Sequence, residues 1–144
     1  MARTGELEVS VSDEVGASAD AVWQLVRDFG DIARWSPGIE KCELEGEGLG
    51  AVRTLAMGAL TLQEKLEAFD DEARSFSYSI VEPTPLPLTG YLSTLQVTPL
   101  GDDRCRVDWS GRFTPAEGTP DDQVRGLITG VYSGGIKAIQ KSLG

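Results

Sequence analysis

Arg53 and Glu64 flank the dipeptide Gly58-Ala59 at equal distances along the chain. A two-residue turn with glycine at its first central position forms a type II′ hairpin. That hairpin would pair Met57 with Leu60, Leu55 with Leu62, Arg53 with Glu64 and Ala51 with Leu66. All eight side chains share one face, and the other face collects Val52, Thr54, Ala56, Thr61, Gln63, Lys65 and Glu67, a mixture that water tolerates. The two opposite charges therefore point inward among apolar neighbours. A charge persists in a low-dielectric space only when it is paired, hydrogen-bonded or in contact with trapped water, so the pair marks either a site or a structural lock. Three roles stay open: a bridge that fixes the hairpin register, a contact for a bound molecule, or proton transfer. The third has the weakest basis, because a carboxylate held by a guanidinium is a poor general acid.

Further polar handles point the same way. Cys105, Val107, Trp109, Gly111 and Phe113 alternate with Arg104, Arg106, Asp108, Ser110 and Arg112, which leaves one apolar side. The same parity turns Phe76, Tyr78 and Ile80 inward, and with them Tyr91, Ser93, Leu95 and Val97. Tyr78, Tyr91 and Trp109 bring hydroxyl and indole N–H groups that need partners into a greasy lining, a composition shared by ligand pockets and by ordinary cores. Trp35 follows an amphipathic turn and precedes Ser36-Pro37-Gly38; it fits a lid, or a staple that pins a short helix to the sheet.

The elements that must position these groups read as a meander between helices. Glu6 to Val15 alternates as a half-buried strand. Ser18 offers an N-cap to an amphipathic helix from Ala19 to Phe29, and Ile32 to Trp35 adds one more helical turn. Strands follow over Ile39–Glu45, Ala51–Ala56, Leu60–Phe69, Arg74–Val81, Leu88–Thr98 and Arg104–Phe113, separated by turn chemistry and by the proline stretch from Glu82 to Pro87. Thr119-Pro120-Asp121-Asp122 opens a last helix to about Leu143, roughly 34 Å long. Val124, Leu127, Ile128, Val131, Tyr132 and Ile136 supply its apolar surface. Gly126, Gly130 and Gly134 recur along it with Gly135 beside the last. Each costs about 1 kcal/mol relative to alanine, so they call for a reason: close packing on the sheet, or room for a bound molecule.

Composition narrows the function. At 144 residues the chain fits one domain, residues 1–144, with a core that needs neither metal nor disulfide. Thirteen basic residues against 23 acidic ones leave a charge of −10, which repels phosphate backbones and anionic lipid heads. No nucleic-acid partner and no membrane insertion are expected. The start of the chain lacks the apolar stretch of a signal peptide, which points to the cytoplasm. Histidine is absent, which removes Ser-His and Cys-His nucleophile pairs and the commonest metal ligand. Cys42 and Cys105 lack metal-ligand spacing, so no metal and no cofactor is implied.

The run Ala21-Val22-Trp23 through Phe29, then Trp35-Ser36-Pro37, Gly50-Ala51-Val52-Arg53, Glu64-Lys65-Leu66 before Asp70, Tyr78 followed by the prolines and Tyr91, and Trp109 with Phe113 together resemble the SRPBCC superfamily of START-like proteins and polyketide cyclases. The likeness covers nearly the whole chain and rests on order and spacing rather than on one motif. It implies an α+β helix-grip fold, with a seven-stranded antiparallel curved sheet wrapped around the long C-terminal helix and two short helices between strands 1 and 2. It also implies a cavity for apolar molecules lined by Arg53, Glu64, Tyr78, Tyr91 and Trp109, with Trp35 near its mouth. The strand order it implies puts the strand of Cys42 two positions from that of Cys105 across the first strand. That is roughly 9.6 Å, too far for a disulfide, so free thiols are expected.

Two functions compete. One is binding or transport of a small hydrophobic lipid-, polyketide- or aromatic-like ligand by a monomer or weak homodimer. The other is a cyclase/aromatase- or dehydratase-like enzyme that shapes its substrate in the same cavity. Missing nucleophile pairs favour the first, and no residue is assigned as catalytic.

Overall fold

The structure, a computed structural model, describes residues 6–143. Seven strands form one antiparallel sheet: β1 (Leu7–Val15), β2 (Lys41–Glu45), β3 (Val52–Met57), β4 (Leu60–Asp70), β5 (Ser75–Ile80), β6 (Leu88–Pro99) and β7 (Cys105–Pro115). Their order across the sheet is β1-β7-β6-β5-β4-β3-β2. Between β1 and β2 lie helix α1 (Ala19–Val26) and a 3₁₀ segment (Phe29–Arg34), and helix α2 (Asp121–Leu143) closes the chain. This is the helix-grip arrangement, a curved sheet holding a long terminal helix.

Local chemistry accounts for the boundaries. The Ser18 hydroxyl accepts the Ala21 amide at 3.1 Å and caps α1. The helix stops at Val26, short of the expected Phe29, because Asp28 adopts extended backbone (φ −80°, ψ 92°). The second turn then runs from Phe29 to Arg34 with a kink at Asp31, instead of from Ile32 to Trp35. The β3–β4 hairpin turns at Gly58 with φ +62°, and Ala59 stays out of the left-handed region, as a type II′ turn requires. Its register pairs Met57 with Leu60, Leu55 with Leu62 and Arg53 with Glu64. The Leu66 amide bonds the Ala51 carbonyl at 2.9 Å, which continues the pairing.

Two irregularities re-aim side chains. A register shift between Leu66 and Ala68 in β4 turns Phe69 toward Trp23, with ring centres 5.4 Å apart. Another in β6, between Thr89 and Leu92, includes Gly90 at φ +63° and lets both Leu88 and Tyr91 face inward.

Helix α2 is seated by a reciprocal fit. The rings of Trp109 on β7 and Tyr132 on α2 stack with centres 5.2 Å apart and planes 13° from parallel. A Cβ at Gly111 would lie 2.0 Å from the Tyr132 hydroxyl, and one at Gly135 would lie 2.4 Å from the Trp109 ring. Each element therefore omits a side chain where the other inserts a ring. The helix buries Val124, Ile128, Tyr132, Ile136 and Ile139. Leu127 and Val131, expected among its packed residues, are 40% and 51% exposed.

Both cysteines are free thiols, as expected, but the geometry behind that expectation needs correcting. Strand β2 does not pair with β1; the two form opposite edges of the sheet, so β2 and β7 are separated by β3, β4, β5 and β6.

Candidate functional site

A cavity of about 400 Å³ opens between the β3–β4 hairpin, α2, the stretch from Ile32 to Ile39 and Leu86 of the proline segment. Its lining is mostly aliphatic and aromatic. Arg53, Glu64, Tyr78, Tyr91 and Trp109 all contribute to it.

Arg53 and Glu64 are 2% and 7% exposed. Cross-strand pairing brings their head groups together: Nε of Arg53 donates to Oε1 of Glu64 at 2.8 Å, and one terminal nitrogen forms an ion pair with the same oxygen at 2.7 Å. The other terminal nitrogen donates to the Phe29 carbonyl at 3.0 Å. The guanidinium carbon sits 3.9 Å from the centre of the Phe29 ring and 5.2 Å from that of Tyr78. Arg53 is thus held from three sides, which offsets its desolvation. Oε2 of Glu64 has no hydrogen-bond partner among the described residues.

A polar cluster lies deeper. The Trp109 indole N–H is shared between the Tyr78 hydroxyl at 3.2 Å and the Ser93 hydroxyl at 3.1 Å. Ser93 donates to the Ser110 carbonyl at 2.9 Å, and the Tyr91 and Tyr132 hydroxyls meet at 2.7 Å. Burial pushes the hydroxyl pKa of Tyr78, Tyr91 and Tyr132 above the ordinary value of 10.0, and the negative charge of Glu64 adds to the rise at each. All three remain neutral donors and acceptors at physiological pH.

The glycines of α2 divide between the two reasons offered for them. Gly135 allows close approach to Trp109, whereas a Cβ at Gly130 or Gly134 would meet nothing within 4 Å, and both line the cavity. Gly126 likewise faces open space but is not part of the lining. Leu60 at the hairpin tip, Leu127 and Val131 are exposed and also line the cavity, so they form an apolar rim.

Trp35 sits elsewhere. It is buried, packs 6.4 Å from Trp109 between ring centres, and is absent from the cavity lining. This is the position of a staple rather than a lid. Its Nε1–H is buried without a hydrogen-bond partner among the described residues. Sequence reasoning missed Tyr132, Ser93 and the Phe29 carbonyl as members of the polar network. A tyrosine on the buried stripe of a helix needs a hydroxyl partner, which was the available signal for Tyr132; a backbone acceptor such as Phe29 carries none.

Among the described residues no cluster of His, Cys, Asp or Glu could hold a metal, and no helix is long and apolar enough to cross a membrane. Over residues 6–144 the chain matches the family described as polyketide cyclase / dehydrase and lipid transport. It belongs to that family. Membership places it in the SRPBCC superfamily, in accord with its helix-grip fold. XoxI of Bacillus cereus is 38% identical, with a TM-score of 0.87 and 94% of each chain covered. Norcoclaurine synthase of Thalictrum flavum, solved in complex with dopamine and hydroxybenzaldehyde, is 27% identical, with a TM-score of 0.76 over 94% of this chain and 85% of the synthase. The abscisic acid receptor PYL2 of Arabidopsis thaliana is 32% identical over an alignment of 77 residues, with 49% of this chain and 40% of the receptor covered. The aligned part is thus less than half of the receptor's length.

Proposed function

We propose that this family member binds or carries a small hydrophobic, lipid-, polyketide- or aromatic-like molecule in the cavity between sheet and α2, its whole length serving as one ligand-binding domain. The observation that carries this reading is an apolar chamber of about 400 Å³ whose only charged lining groups, among the described residues, are Arg53 and Glu64. Its volume lies in the usual range of small-molecule sites, about 300–1,000 Å³. Burying apolar surface contributes about 25 cal/mol per Å², so a ligand covering about 300 Å² gains about 7.5 kcal/mol before the costs of association. Free thiols at Cys42 and Cys105 fit a reducing compartment such as the cytoplasm.

An enzymatic reading has one specific support, the 27% identity to norcoclaurine synthase across 94% of the chain. In that reading the cavity orients reactants, and Glu64 or a tyrosine handles protons.

The neutral fluorophore N-phenyl-1-naphthylamine tests the cavity. It should bind the wild-type protein and bind Gly134→Leu at least about tenfold more weakly, because a leucine there projects into the chamber from a position with no neighbour to strike. Equal binding to both, with Gly134→Leu folded by circular dichroism, would place the probe elsewhere and refute the proposal.

A further inference from the structure

Glu64 is an incompletely satisfied carboxylate at the wall of a greasy chamber. Both of its contacts with Arg53 fall on Oε1, leaving the lone pairs of Oε2 without a donor among the described residues. Glu64 is 7% exposed and lines the cavity, and Oε2 keeps some accessible surface there, so its lone pairs turn to a donor in whatever fills that cavity. No described side chain supplies one. The Trp109 N–H is committed to Tyr78 and Ser93 and the Tyr91 and Tyr132 hydroxyls to each other, while the Tyr78 hydroxyl, which accepts from Trp109, and the Ser36 hydroxyl of the lining form no hydrogen bond with Glu64.

The charge balance then selects the donor. Arg53 and Glu64 cancel one another, and the remaining lining carries no ionised group. A carboxylate on the ligand would face the unshared oxygen of Glu64. It would find Arg53 already committed to Glu64 and the Phe29 carbonyl. A cation would add a third, unbalanced charge beside the guanidinium inside an apolar space. A neutral hydroxyl meets the requirement without either penalty, donating to Oε2 while the rest of the molecule lies against the aliphatic and aromatic lining.

We infer that the ligand is a neutral, predominantly apolar alcohol or phenol whose hydroxyl donates to Oε2 of Glu64, so that the cavity discriminates against the corresponding ethers and carboxylates. This rests on the cavity reading above and adds the chemical class of its ligand.

Three probes of one ring system separate the possibilities: 2-naphthol, 2-methoxynaphthalene and 2-naphthoate, each titrated near neutral pH by displacement of N-phenyl-1-naphthylamine. The expected order is naphthol tightest by about tenfold or more, as a hydrogen bond to a charged acceptor warrants, with the ether and the carboxylate behind it. In Glu64→Gln the naphthol preference over the ether should shrink to within about threefold, since a side-chain amide can donate to the ether oxygen. Equal affinity of the wild-type protein for naphthol and ether, or tightest binding of naphthoate, overturns the inference while leaving the cavity reading intact. Failure of all three probes and of the fluorophore to bind overturns both. The wild-type comparison decides the matter even if Glu64→Gln does not fold.

Discussion

Raising the pH should unfold this protein through its tyrosines, and the structure fixes how strongly. The chain has three tyrosines, Tyr78, Tyr91 and Tyr132, and all are buried with hydroxyl pKa values pushed above 10.0, burial being the largest cause. The folded state thus holds these protons where the unfolded chain releases them. The stabilisation is complete below the unfolded pKa of about 10 and is lost as pH rises through it toward the folded values. At about pH 11 each unfolded tyrosine gains about 1.4 kcal/mol by ionising, so Tyr78 and Tyr91, the two raised furthest, together contribute about 3 kcal/mol against folding, and Tyr132 adds in the same direction. That is a large share of a typical domain stability of about 5–15 kcal/mol. Tyrosinate absorbance, followed alongside near-ultraviolet circular dichroism, should show no ionisation around pH 10 and then one cooperative step coincident with loss of tertiary signal. A gradual titration centred near 10 in the folded protein, for even one tyrosine's share of the absorbance, would refute the burial argument.

The glycines of α2 should respond oppositely to alanine. Gly130→Ala gains helix propensity without a clash and should raise stability by about 0.5–1 kcal/mol, whereas Gly135→Ala drives a methyl into the Trp109 ring and should lower the melting temperature. Arg53→Met should cost about 3–5 kcal/mol in denaturant melts, because Glu64 keeps a buried charge without its cation. Arg53→Met combined with Glu64→Leu should recover most of that loss; if the double variant is no more stable than the single one, the ion pair is not the origin of the cost.

The fold was largely legible because its signals were periodic. Alternation fixed the inner faces of β5 and β7, and the glycine turn fixed the register that opposes Arg53 to Glu64, so the pair could be located without coordinates. Irregularity limited the rest. Nothing in the local pattern around Glu67 announces a bulge, so the inward turn of Phe69 was not anticipated. The end of α1 depends on the backbone of Asp28, where several residue types would read alike. Leu127 and Val131 followed the helical stripe and were assigned to packing. Helix α2 packs chiefly on β1 and β7, and the part of the stripe off that contact, Leu127 and Val131, borders the opening. Trp35 shows the converse limit, since a tryptophan beside Ser-Pro-Gly carries the same sequence signature whether it covers an entrance or anchors a turn.

The paired omissions at Gly111 and Gly135 have a mechanical result. Sliding α2 along its axis, or rolling it, would drive the Tyr132 hydroxyl into the backbone of β7 or the Trp109 ring into the backbone of α2. The helix is thereby keyed to one position, like a dowel with a flat. On the ligand-binding proposal, guests of different size would be accommodated by the tip of the β3–β4 hairpin and the proline segment, which border the chamber and lack such a key. Amide exchange should find the slowest protons on β7 and the facing turns of α2, and the fastest around Gly58 and Leu86.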